Sequence, residues 1–236
     1  MGSQKRGAGR PAKPVLNRDL IAEQALELVV EEGLDRLTMT RLAKKLGVAT
    51  SALYNHVDNK ADIVLLIQDA LVSQVSVEKM LRLTRGEATL DSALAAWARS
   101  YRAVFAKYPS LIPLIAVTPV SDAPMTLRMY NIVAEAVVSA GIPQDKVISV
   151  IVAFESFLFG SALDMNAPSN VLDAGESSAG SSSLERAVAA TKSSAQEARV
   201  ASGSADQQVQ HTNFYAEPPF QLGLGALIRQ ALELVQ

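Results

Sequence analysis

The chain has 236 residues, 49% of them hydrophobic, a formal net charge of −2 and no cysteine. Such a length holds one small and one larger domain with ample core, and a slight negative charge argues against a general polyanion binder. Without thiols there is no disulfide and no thiolate metal site, a composition that fits a reducing cytoplasm. The histidines, His56 and His211, are far apart in sequence, so no metal site and no cofactor are expected.

Residues 1–16 read as a flexible basic arm. Lys5, Arg6, Arg10, Lys13 and Arg18 all precede the first acid, Asp19, and the glycines and prolines among them keep the segment flexible or extended. Arginine inserted into a narrow minor groove meets strong negative potential, which makes Arg10, within Gly9-Arg10-Pro11, a candidate DNA contact. A solvated tail is the plainer use. No apolar signal core follows the basic residues.

Leu37 to Lys60 carries the most specific pattern in the chain. Thr38 is an N-cap residue, and Leu42, Ala43 and Leu46 form the apolar stripe of a short helix. Gly47 stops that helix, because glycine takes a left-handed turn at no steric cost, and Val48 plugs the angle that follows. A second helix starts near Thr50, with Leu53 and Val57 inward and Thr50, Ser51, Tyr54 and Asn55 outward. Short polar side chains that donate and accept suit the major groove, which admits a helix and presents a distinct pattern for each base pair. Thr50 or Ser51 has a second use as a helix cap, and Tyr54 as half core. Asn59 reads as the next N-cap, with Asp62 placed as a capping-box acid. Lys60 is a cation at a positive helix N-terminus, a misplacement that a shared anion such as a DNA phosphate relieves.

From about Asn17 to Asp69 the chain resembles the DNA-binding domain of the tetracycline-repressor (TetR) family of bacterial transcriptional regulators. The resemblance rests on the helix Asn17–Glu32 ended by Gly33, on Leu37-Thr38, on Leu42-Ala43 and Leu46-Gly47-Val48, and on Leu53-Tyr54-Asn55-His56-Val57 followed by Asn59-Lys60. It implies that Thr50, Ser51 and Asn55 contact bases, and that Tyr54, His56 and Lys60 contact phosphates or the groove wall. Thr40 and Arg41 then reach the flanking backbone. For His56, packing against the first helix is the alternative. The helix-turn-helix DNA-binding domain is taken as residues 17–62, three helices, and the larger C-terminal helical domain as 63–236.

Beyond Asp62 a helix is expected from Ile63 to Val77, with Leu83 to Gly86 as its loop. Further helices are expected over Thr89–Lys107, Pro124–Ser139, Gln144–Asp164 and Phe220–Val235, with a short turn over Ser110–Ala116. About 166–183, Ser, Gly, Ala and Asn dominate, which reads as a mobile loop. Leu184–Val200 is weakly helical, and Ser202–Pro219 is a polar connector pinned by Phe214 and Tyr215.

The 144–164 helix is apolar on nearly every face and must be covered on all sides. Ser149, Glu155 and Ser156 interrupt it, so a membrane span is not expected. A partner subunit supplies the cover, with Gly160-Ser161-Ala162 permitting close approach and the last helix alongside. The family resemblance likewise implies a homodimer built on a four-helix bundle.

Trp97, Tyr101, Phe105, Met125, Met129, Tyr130, Phe154 and Phe157 gather in the middle helices. Each is ordinary core material; joined to the family's habit of binding a small effector there, they form a candidate apolar pocket. Glu155, an acid among apolar neighbours, needs a partner. Arg99 or Arg102 is one candidate, and a polar or cationic group on an effector is the other.

The reading is an all-α, cytoplasmic, homodimeric repressor that holds a near-palindromic operator on double-stranded DNA and releases it when an effector binds. An effector-independent DNA-binding protein that organises the chromosome is the alternative. No Ser-His-Asp, paired-carboxylate, phosphate-loop or metal-ligand pattern points to an enzyme.

Overall fold

The computed structural model describes residues 16–168, 170–172, 183–202 and 215–236, the side chains of 195–202 excepted. Arg10 with the rest of the arm, most of the 166–183 stretch, and Phe214 lie outside the described residues. Every regular element among the described residues is helical, which makes the protein all-α. The chain divides into two compact units after Ile67, within a helix, rather than at Asp62.

The first unit is built from α1 (Arg18–Glu32), α2 (Met39–Leu46), α3 (Thr50–Tyr54) and the start of α4 (Lys60–Val72). Its helix ends are set locally. Asn17 Oδ1 accepts from the Leu20 N–H at 2.8 Å, and Thr38 Oγ1 accepts from the Arg41 N–H at 3.3 Å. Gly47 adopts φ 68°, ψ 31°, and the N–H of Val48 returns to the Ala43 carbonyl, which closes α2 with a left-handed cap. Ile21, Ala25, Leu28, Leu37, Leu42, Leu53, Val57 and Ile63 are buried and form one small core. Asn59 Oδ1 accepts from the N–H groups of Ala61 and Asp62, while Asp62 reaches back to the Asp58 N–H, so the start of α4 is capped from both sides.

The second unit continues α4 and adds α5 (Glu78–Thr84), α6 (Leu90–Phe105), α7 (Ile112–Ile115), α8 (Pro124–Ser139), α9 (Val147–Asp164), α10 (Ser183–Ser202) and α11 (Glu217–Glu233). The expected helix 63–77 stops at Val72, and α5 is a further helix that the sequence reading lacked. Pro218 and Pro219 are not connector residues but the first turn of α11, where a missing N–H costs nothing. α9 packs against α6, α8 and α11 and is the central helix of the bundle.

By length and composition, Gln144–Asp164, with hydropathy 1.7, is the helix among the described residues apolar enough to cross a membrane. Its placement accounts for that composition. Val147, Val150, Ile151, Phe154, Leu158, Ser161 and Ala162 point into the bundle. Ile148, Val152, Ser156, Gly160 and Leu163 lie outward at helical spacing, an exposed stripe without a charge. Of the small trio at 160–162, therefore, only Gly160 is on the outer face; Ser161 and Ala162 pack inside.

Candidate nucleic-acid interface and effector region

α3 is the helix expected to read DNA. Ala49, not Thr50 or Ser51, is the N-cap residue, and no side chain caps the helix. Both hydroxyls are thereby left over for another partner. Leu53 is fully buried, Ser51 and Asn55 are exposed, Tyr54 is 50% exposed, and Thr50 and His56 are half-buried. The outward row is short and uncharged, and it combines donors with acceptors, as reading of base edges requires.

Charge sits around that row rather than on it. Arg41 is exposed and pairs with Glu32 at the end of α1, and Thr40 is exposed beside it. Lys45 is held by Glu31 at 2.7 Å and Glu27 at 3.4 Å, which commits that cation internally. Lys60 Nζ donates to the Leu34 carbonyl at 3.2 Å. An internal acceptor thus meets the electrostatic misfit at the start of α4.

In the second unit, the aromatic residues fall into separate groups. Trp97, Tyr101, Phe105 and Phe154 are buried and form a chain of ring contacts. Trp97 lies 5.8 Å from Tyr101 and 5.9 Å from Phe154, and Tyr101 stacks on Phe105 at 4.7 Å. Phe159, which the sequence reading omitted, joins them with rings edge-on to Tyr101 and Phe105. Trp97 Nε1 donates to Met129 Sδ at 3.3 Å, which ties α8 to the group. Met125 belongs elsewhere: it is 38% exposed and lines a cleft with Met129, with Val72 at the end of α4 and with Val75 beyond it. Phe157 turns the other way and stacks on Phe220 of α11.

Glu155 does not pair with Arg99 or Arg102. Tyr101 Oη donates to its Oε1 at 2.8 Å, and Tyr130 Oη donates to the same oxygen. Burial pushes the Glu155 carboxyl up, against the opposing pull of the two phenol bonds, and burial beside the carboxylate pushes both tyrosines up as well. The arginines are occupied at α11. Arg102, 5% exposed, donates to Glu217 at 2.5 Å and to the Ala216 carbonyl at 2.8 Å, with its guanidinium 4.0 Å from the Phe220 ring centre. Arg99 donates to Gln221 at 2.8 Å. Tyr101 and Arg102 are neighbours in sequence but point about 100° apart on a helix, so the Tyr101 hydroxyl meets the Glu155 side chain, whereas Arg102, which also donates to the Ser161 carbonyl of α9 at 3.4 Å, turns its guanidinium to Glu217.

A helix-turn-helix head joined through a continuous helix to an apolar helical body defines a DNA-binding transcriptional regulator. Residues 21–67 match the family model for bacterial regulatory proteins of the tetR family, and residues 84–212 match that of the tetracyclin repressor-like C-terminal domain. The chain belongs to the TetR family, whose members are transcriptional regulators rather than enzymes and act on DNA operators with small-molecule effectors. It is 26% identical over 157 residues to the HTH-type transcriptional repressor DrrR1 of Streptomyces coeruleorubidus, a match covering 66% of this chain and 56% of that repressor's length. Its fold is similar to that of ActR from Streptomyces coelicolor without ligand, with a TM-score of 0.67, 23% identity and coverage of 96% of this chain and 97% of ActR. It is also similar to BioQ bound to its double-stranded DNA operator, with a TM-score of 0.53, 19% identity and coverage of 63% and 87%. At these identities the two structural likenesses concern the fold alone.

Proposed function

We propose that this chain is a homodimeric repressor that holds a near-palindromic operator through two copies of α3 and releases it when a small molecule binds the second unit. The observation that carries the DNA reading is the outward row of α3, where Ser51 and the C-cap residue Asn55 are exposed, Thr50 is half-buried, and no side chain among them is spent on capping the helix start. These three would read base edges, Tyr54, His56 and Lys60 the phosphates or groove wall, and Thr40 and Arg41 the flanking backbone. Arg10 would add a minor-groove contact from the arm.

The uncharged outer stripe of α9, with Ile148 68% and Val152 51% exposed, supports dimerisation through α9, and Leu222 on α11, 74% exposed, supports the participation of the last helix. Effector release is supported by the ring cluster around Trp97 and by the complex of ActR with actinorhodin. α4 is the covalent route from that region to the head, and a dimer reads two half-sites only while its recognition helices match the groove spacing of about 34 Å or a variant of it. A regulator working this way acts on the chromosome in the cytoplasm.

The test is fluorescence anisotropy with operator and random duplexes, with and without candidate effectors. Preference for one sequence, lost on adding a ligand, is the expected outcome. Equal affinity for all sequences with no ligand effect would instead indicate a chromosome-organising protein.

A further inference from the structure

Glu155 is the unusual group in the second unit. Its Oε1 already accepts from two phenols, Tyr101 on α6 and Tyr130 on α8. Among the described residues nothing donates to Oε2, and none of the ion pairs includes this carboxylate. The arginines of α6 are engaged elsewhere, Arg99 on Gln221 and Glu217, and Arg102 on Glu217 and the backbone carbonyls of Ser161 and Ala216. Neither Glu155 nor Tyr130 is sealed in; both are half-buried, as is Phe159 one turn along α9, while Tyr101, Phe105 and Phe154 are buried among other rings.

We propose that Glu155, oriented by Tyr101 and Tyr130, is an anchor for the protonated amine of an apolar, ring-bearing effector. The juxtaposition favours that class for two reasons. An anion set in apolar surroundings without a protein cation gains most from a ligand cation, because charge pairing is strong where water is scarce. The half-buried rings of Tyr130 and Phe159 add cation–π attraction to the same group and cover part of the ligand's apolar surface. The phenols hold one oxygen in place, which leaves the other aimed and unspent. A neutral alcohol of the same shape recovers only an ordinary hydrogen bond, and a carboxylate meets repulsion.

This inference rests on the effector-release reading, and its test keeps the two apart. Benzylamine, naphthylmethylamine and anthracenylmethylamine are titrated into the full-length protein by calorimetry, each beside its alcohol and carboxylate analogue. The expected order is amine over alcohol over carboxylate, with Glu155→Gln weakening the amine by about tenfold or more and sparing the alcohol. The glutamine keeps the shape and both phenol bonds; a thermal melt verifies that the variant is folded. A second arm needs no variant: in wild type the amine affinity falls as acid protonates Glu155, while the alcohol affinity stays flat. The groups that act on Glu155 there are Tyr101 and Tyr130, which stay protonated throughout. Amines that bind no more tightly than alcohols, or that bind equally to Glu155→Gln, overturn the proposal. Operator release is then read separately by anisotropy. Amine binding that depends on Glu155 without release would sink the effector reading and leave the site, whereas release by neutral or anionic compounds alone would do the reverse.

Discussion

Asn55 and Lys60 divide the work of the head between sequence and charge. Asn55 is exposed on α3 and free to hydrogen-bond a base edge, so Asn55→Ala is expected to relax preference at one or two operator positions, at a cost of about 1–3 kcal/mol. Lys60 donates to the Leu34 carbonyl in the free protein, and Lys60→Ala is expected to weaken every sequence alike and to lower the salt slope by about one. Anisotropy on specific and random duplexes at several salt concentrations separates the two; identical profiles would contradict the assignment. Glu155 gives a prediction about stability. Its folded pKa is raised by burial, so the folded state keeps this proton to higher pH than the unfolded chain does. Its contribution to stability therefore falls as pH rises from the ordinary carboxylate range through the raised value. Relative to wild type, Glu155→Gln should gain stability across that window and differ by a constant below it. Denaturant melts at a series of pH values check this, and a gap that widens toward acid would refute it. The residue roles differed in legibility. Thr38, Gly47, Leu53 and Val57 could be read because caps, a left-handed glycine and i, i+4 spacing act within a few residues. The partners of Glu155 could not, since they lie on two other helices and depend on how each is rotated.

Among the elements, α8 shows how a helix end can depend on another helix. Its N-cap residue, Ala123, offers no side-chain acceptor; instead Asp69 of α4 accepts from the Thr126 N–H at 2.7 Å and from its hydroxyl at 3.1 Å. Removing such a cap costs about 0.5–2 kcal/mol. Asp69→Ala should therefore lower stability by about that amount, while Asp69→Asn, which keeps an acceptor, should lose less. Chemical denaturation checks the order, and equal losses would show that the cap is not what Asp69 supplies. Long helices such as α6, α8 and α9 were legible because their stops, Pro109, Gly141 and Pro143, sit beside sustained periodic patterns. α5 was not. It has seven residues and one buried apolar side chain, Met80, too little periodicity to distinguish from the end of the preceding helix. Similarly, the start of α11 was hidden by a Pro-Pro pair that reads as a connector until its place at the first turn is known.

Reading of an operator by a dimer needs two heads held at a fixed spacing, and α9 is the proposed seam. A Cβ added at the exposed Gly160 meets no other atom of the described residues within 4 Å, so Gly160→Phe should leave the monomer folded. Against a close partner helix the same ring overpacks the contact, at a cost on the order of 1–3 kcal/mol. Sedimentation should show a shift toward monomer, accompanied by weaker operator binding; a dimer of normal affinity would move the interface off this face. Selection of bound sequences from a pool of random duplexes tests most directly whether a dimer reads DNA through α3. Wild type should enrich an inverted repeat whose half-site centres lie about 34 Å apart or at a variant of that spacing. Asn55→Ala should relax the same position in both halves. Enrichment of a single unrepeated motif, or no enrichment at all, would contradict that reading.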